Sequence, residues 1–206
     1  MRTNMIPFWE DMYQNENIFA FGKDPNQSIV QIEDNLDKSC NIIDVGCGDG
    51  TNVLYLARKG FVHVEGVDCS ENGIRKLNKF AEKEALSINA EVADLRNVSF
   101  QKQYGLIMSF GTLHFVSKDE WHLFIEKAKK ATQVGGYHIM QIFTNIVPAS
   151  IEIAEFAIGL ADDGELKEIY KDWEIIDFKS YVFEDEHPGV GKHMHASNKI
   201  IARRVG

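Results

Sequence analysis

The sequence predicts an α/β fold in which a parallel sheet lies between layers of helices. Two observations predict it. Short apolar runs alternate with segments of helical periodicity, and the first strand-to-helix junction carries a glycine-rich turn. Strands joined through helices pair in parallel, and right-handed crossovers leave few ways to order them.

The elements follow in turn. Asn41–Val45 is a short apolar run that ends at a glycine and reads as a buried strand. Thr51 to Lys59 places Val53, Leu54, Leu56 and Ala57 at helical spacing and stops before Gly60. Phe61 to Val67 is a second strand. Ser70 caps a helix carrying Ile74, Leu77, Phe80, Ala81 and Ala85. Ile88 to Ala93 and Tyr104 to Ser109 are further strands. Ser117 and Glu120 form a capping box for a helix reaching about Thr132, and Gly135-Gly136 separates it from a fifth strand, Tyr137 to Phe143. Beyond it, Pro148 to Leu160 and Asp162 to Tyr170 read as helices. Trp173 to Glu184 and Met194 to Arg203 read as strands joined by a loop over Glu184 to Gly191, with Glu184-Asp185-Glu186 solvated there. The first 38 residues are mostly helical and rich in aromatics. They read as an N-terminal cap or lid, leaving 39–206 as the main domain.

Composition narrows the function. With 206 residues and 44% hydrophobic content, the chain needs no disulfide staples. A net charge of -9 disfavours a nucleic-acid partner, because counterion release needs a basic face. No apolar run approaches membrane-spanning length, and the first residues lack the apolar core of a signal peptide. Three cysteines without a Cys-x-x-Cys pair fit free thiols in the cytoplasm. Oligomeric state is not readable.

The strongest signal is Asp44-Val45-Gly46-Cys47-Gly48-Asp49-Gly50-Thr51. Such a loop is either an ordinary turn or a place where a ligand touches the main chain, at the carboxyl edge of the sheet. Asp44 and Asp49 would repel a pyrophosphate and attract a cation. Asp68 ends the second strand roughly twenty residues after the glycines, about where a ribose-binding carboxylate belongs. Asp94 ends the third strand, placed to accept from an adenine amine. Acids for an ammonium and sulfonium, for hydroxyls and for a base suit S-adenosylmethionine. A nicotinamide dinucleotide is the poorer alternative, since Thr51 stands where a third glycine should be.

Ile43-Asp44-Val45-Gly46-Cys47-Gly48-Asp49-Gly50 resembles motif I of class I S-adenosylmethionine-dependent methyltransferases, and Asp68, Asp94-Leu95 and Ser109-Phe110 match its later motifs in order. Phe8-Trp9-Glu10-Asp11-Met12-Tyr13 and Phe19 to Asn26, with Gly164 to Tyr170, Trp173-Glu174 and Ile200 to Arg203, resemble the tellurite-resistance type of these enzymes. The resemblance implies a Rossmann-like, doubly wound, three-layer α/β/α fold with a seven-stranded sheet in order 3-2-1-4-5-7-6, strand 7 antiparallel. It implies Gly46 and Gly48 beside the methionine part, Asp68 at the ribose, Asp94 and Leu95 at the adenine, and Ser109 on the carboxylate side. Asp44, Cys47, Asn52, Cys69 and Phe110 complete the expected cofactor shell, with S-adenosylhomocysteine as product. Gly105 departs from the family's usual Tyr-Asp opening of strand four, at a position that is mostly structural.

Transfer from a sulfonium has a neutral leaving group and needs alignment more than acid catalysis. Trp9, Tyr13, Phe19 and Phe21 read either as a lid or as packing on the sheet edge. His114, after strand four, reads either as facing substrate or as bonding within its loop. His193 and His195 share one strand face. They read as a substrate-facing pair, as a solvated pair, or as metal ligands with His187; a protonated pair beside Lys192 would hold an oxyanion. No carboxylate or cysteine at matching spacing supports a metal, so none is expected. Cys47 and Cys69 read as small pocket-lining residues, and His63, His122 and His138 have no visible partners. The expected activity is methyl transfer to a small acceptor, such as a selenite- or tellurite-like oxyanion or a thiol. The alternatives are a nicotinamide-dependent oxidoreductase and a non-catalytic binder of the methyl donor.

Overall fold

A computed structural model describes residues 7–15, 17–151, 153–187 and 190–206, the side chains of His187 and Val190 apart. The seven strands are β1 (Asn41–Val45), β2 (His63–Asp68), β3 (Asn89–Val92), β4 (Tyr104–Phe110), β5 (Thr132–Phe143), β6 (Glu174–His187) and β7 (Val190–Arg203). They form one sheet in the order β3-β2-β1-β4-β5-β7-β6. The first five pair in parallel, and β7 runs antiparallel to both β5 and β6. Both the strand order and the antiparallel β7 agree with expectation. The helices are α1 (Phe8–Gln14), α2 (Gln27–Ile32), α3 (Thr51–Arg58), α4 (Glu71–Lys83), α5 (Lys118–Ala131) and α6 (Glu165–Ile169). No helix among the described residues is long and apolar enough to cross a membrane.

The central strands are apolar on both faces because helices cover both. Ile42, Leu106 and Met108 pack with Ile29, Ile32, Val53 and Leu54 on one side. Ile43, Ile107 and Met140 pack with Trp121, Phe124 and Ile125 on the other. Ser70 caps α4 by accepting from the Gly73 amide, and the Ser117–Glu120 capping box opens α5 as predicted. α2 belongs to the core-facing helical layer, since Ile29 and Ile32 are buried. Residues 7–15 and 17–26 precede that layer in the chain.

Four expectations give way. Pro148 to Leu160 is a series of turns, with no helix among its described residues. Its end is drawn to neighbouring elements: Gly159 N–H donates to His114 O, and Gly159 O accepts from the buried Trp121 indole at 2.9 Å. Gly135 and Gly136 lie inside β5, because Thr132 already pairs with Tyr104 and the register then shifts. β6 and β7 run on to His187 and Val190, so Glu184-Asp185-Glu186 lies in a strand and not a loop. His138 and His122 have partners after all, Thr132 Oγ1 at 2.7 Å and Tyr170 OH at 2.6 Å for His138 and Glu165 Oε1 at 2.8 Å for His122.

Gly105 is explained by a close approach. A Cβ there would lie 2.6 Å from Cys40 Sγ and 2.7 Å from its Cβ. Gly105→Ala is expected to overpack this contact and lower unfolding free energy by about 1–3 kcal/mol. A Cys40→Gly background, which removes both clashing atoms, should shrink the penalty of Gly105→Ala, read as a coupling in urea unfolding.

Candidate cofactor and acceptor cavity

A cavity of about 480 Å³ opens beyond the carboxyl ends of β1, β2, β4 and β5. That volume suits a nucleoside-sized ligand. Its floor is the glycine loop. Gly46 (φ 81°) and Gly48 (φ 55°) hold left-handed conformations. A Cβ on Gly46 would collide with Thr112 and one on Gly48 with the Tyr13 hydroxyl, so side chains there would seal the floor against its neighbours.

Asp68, at the end of β2, fixes the loop. One carboxylate oxygen accepts from Gly48 N–H at 2.8 Å and the other from Ser70 N–H at 2.8 Å. Each oxygen keeps a lone pair for a ligand hydroxyl. Burial raises the Asp68 pKa above its ordinary value. Asp44 lies behind the wall, with Oδ2 3.3 Å from Asn52 Nδ2, while Oδ1 is buried without a hydrogen-bond partner. Burial pushes its pKa up to about 7, against the lowering effect of Asn52. This unsatisfied oxygen suits a cationic ligand group. Asp49, read in sequence as another attractive acid, is instead neutralised by the buried Lys76 ammonium at 2.9 Å and accepts from Ala20 N–H at 2.7 Å.

The segment before α2 forms one wall. It is tied to the loop by Ala20–Asp49, by Thr51 Oγ1 donating to Gly22 O at 2.9 Å, and by Asn26 N–H donating to Asn52 Oδ1 at 3.0 Å. Tyr13 is buried against Gly48, and burial followed by the charge of Asp68 drives its hydroxyl pKa well up. Trp9 packs at 4.7 Å on Phe115 and 5.6 Å on Phe156; Phe21 meets the Tyr13 ring at 6.2 Å. Phe19 instead stacks on Phe80 at 4.5 Å, away from the cavity.

The cavity brings together Gly46, Cys47, Gly48, Asn52, Asp68, Cys69, Phe110, Trp9, Tyr13, Phe21 and His195. Burial drives the Cys47 thiol well up and Cys69 to about 11, so neither offers a ready thiolate. Other expected residues do not line it. Asp94 is held by the Arg96 guanidinium and backbone N–H, and the Arg96 hydrogen bond lowers its pKa. Leu95 is buried in the core, and Ser109 Oγ is buried without a hydrogen-bond partner, one residue before the cavity-lining Phe110.

His114 neither faces the cavity nor bonds within its loop. Its ring lies 4.3 Å from Phe143, nearly parallel, and 4.1 Å from Phe115, with both nitrogens unbonded. Burial drives its pKa down to about 3 and keeps it neutral. His195 also stacks on Phe143 at 4.4 Å, so both histidines pack against one aromatic ring. Lys192 pairs with Glu184 at 2.6 Å. Sequence reasoning missed Thr112, Gln141, Phe143, Phe183 and Asp185. The signal available for Asp185 was the hairpin register, which sets it opposite His193.

Comparison with known proteins places this arrangement. The family model described as "Tellurite resistance protein TehB" matches residues 10–193. A probable S-adenosyl-L-methionine-dependent methyltransferase TehB of Haemophilus influenzae is 35% identical over 147 residues, covering 70% of this chain and 50% of its own length. The crystal structure of TehB from Haemophilus influenzae superposes with TM-score 0.79 at 27% identity, over 95% of this chain and 67% of that one. Magnesium protoporphyrin IX methyltransferase from Synechocystis, solved with bound S-adenosylmethionine, shares the fold at TM-score 0.63 and 14% identity, over 98% of this chain and 86% of that one. The chain spans about half the length of the curated relatives it matches first. It belongs to the tellurite resistance protein TehB family.

Proposed function

We propose that this chain is an S-adenosylmethionine-dependent methyltransferase acting on a small acceptor. The observation that carries the reading is Asp68 at the glycine floor: both carboxylate oxygens accept from backbone N–H groups while the residue lines the cavity, poised for ribose hydroxyls. Asp44, buried behind the loop with one unsatisfied oxygen, adds a field that favours a cationic ligand. Gly46, Cys47, Gly48, Asn52, Cys69 and Phe110 would surround the donor. A nicotinamide dinucleotide would bring its pyrophosphate against the same acids.

The donor supplies an electrophilic methyl group and a neutral leaving group. The protein's part is to align the acceptor and exclude water. Trp9, Tyr13 and Phe21 shield the cavity on one side, and Phe143, Phe183 and His195 face it from the other. A selenite- or tellurite-like oxyanion, or a thiol, brings its own lone pair, which suits a cavity whose nearby His114 is held neutral and out of reach. His193 and His195 are the acceptor-side residues of this reading.

Calorimetry with S-adenosylmethionine tests the donor site. Asp68→Ala should weaken binding by about 1.5–3 kcal/mol, roughly tenfold to a hundredfold. Transfer of radiolabelled methyl to selenite, tellurite and small thiols tests the acceptor class, and a protein that binds the donor but labels none of them would contradict it.

Asp44 gives a pH signature. Its folded pKa of about 7 lies above the ordinary aspartate value of 3.8, so between those values the folded state holds a proton that the unfolded state lacks. This group's contribution to stability is therefore present at low pH and lost as pH rises toward 7. An ionised Asp44 behind the loop favours a cationic ligand on the cavity side, so affinity should climb as pH passes through about 7. In Asp44→Asn both trends should flatten relative to the unsubstituted protein, measured by urea midpoints and by calorimetry across that range.

A further inference from the structure

We propose that Asp185, His193 and His195 form a binding site for a divalent first-row transition metal of the zinc type at the acceptor end of the cavity. The ligand atoms of the three side chains all lie within 4.8 Å of one another. His193 Nε2 and His195 Nε2 are 3.0 Å apart. Two imidazoles bound at about 2.0–2.1 Å on one Zn²⁺ would hold their nitrogens roughly 2.9–3.4 Å apart, so the pair already has the spacing of neighbouring ligands.

The surroundings favour the same assignment. The hairpin pairs Asp185 with His193, and His195 follows two residues on, so all three project from one face. His193 Nδ1 lies 2.8 Å from Gly191 O. An Nδ1–H donated there leaves His193 Nε2 to accept from His195 Nε2–H, and a metal between the rings would take that proton's place, with Nδ1–H held as in ligating histidines. His195 is fixed by stacking on Phe143, and its ring is buried. Without a metal, an oxyanion would meet the Asp185 carboxylate here, and Lys192 is paired with Glu184; a divalent cation in the cluster removes that repulsion. Asp185 and His195 both line the cavity, so an open coordination position would face it.

Two imidazoles and one carboxylate are a donor set used by catalytic zinc, with at least one position left for another ligand. A thiol acceptor taking that position would bind as the thiolate, its proton passing to solvent. That supplies a nucleophile in a cavity where no other described side chain is assigned to remove a proton. The acceptor role rests on the methyltransferase reading; metal binding itself does not.

The test uses the full chain, freed of metal by chelation and dialysis, and titrated with Co²⁺ and then Zn²⁺. One Co²⁺ per chain should bind with visible d–d bands, and Zn²⁺ should displace it. His193→Ala, His195→Ala and Asp185→Asn should each weaken Zn²⁺ binding by at least the roughly 10–100-fold typical of losing an outer partner. Asp185→Glu should retain binding, and His193→Gln serves as the milder variant if an alanine substitution unfolds the hairpin, as judged by circular dichroism. Absence of the bands in the unsubstituted chain, or their persistence in the His193→Gln variant with unchanged affinity, would overturn the proposal. Calorimetry with S-adenosylmethionine in the presence of chelator separates the two readings. Donor binding without metal binding sinks only the metal site, and metal binding without donor binding sinks only the methyltransferase reading.

Discussion

The hydrogen bond from Gly48 N–H to Asp68 Oδ2 joins two crossovers that are otherwise separate. β1 and β2 lie side by side in parallel register, so the loop after one and the carboxylate after the other meet at the same sheet edge. The bond holds the glycine loop in left-handed turns and keeps Asp68 facing the cavity. Breaking it would free both the floor and the group that faces a ligand's hydroxyls. The wall built on that floor depends on it too, because Tyr13 packs its hydroxyl against Gly48.

Charge at the site is managed by position. Of the acids in and around the glycine loop, Asp49 is neutralised by Lys76, whereas Asp44 keeps an unsatisfied oxygen and Asp68 keeps open lone pairs. A buried acid without a cation is costly, and raising its pKa is how the apo protein lowers that cost. On the opposite wall His114 and His195 both stack on Phe143. His114 is fully buried and neutral.

The N-terminal segment forms one wall of the cavity in this structure. Three hydrogen bonds tie it to the glycine loop and to α3, and its aromatic side chains reach across to Phe115 and Phe156. The helical periodicity read over 148–160 fails for a related reason. Gly159 and Phe156 serve Trp121, His114 and Trp9, and those tertiary partners outweigh the local preference for helix.

The sequence by itself determined the strand-and-helix alternation, the cap at Ser70, the capping box at Ser117, the glycine loop and the position of Asp68. Each depends on groups a few residues apart or on a periodicity along one element. Only the tertiary structure decided which acids of the glycine loop are neutralised and which keep an unsatisfied oxygen: Lys76 reaches Asp49 from α4, while Asp44 Oδ1 stays without a partner. It also decided that Asp185 stands with His193 and His195, since cross-strand register, and not spacing along the chain, brings them together. Side chains interact through space, and the sequence encodes those distances only through the packing of the whole sheet.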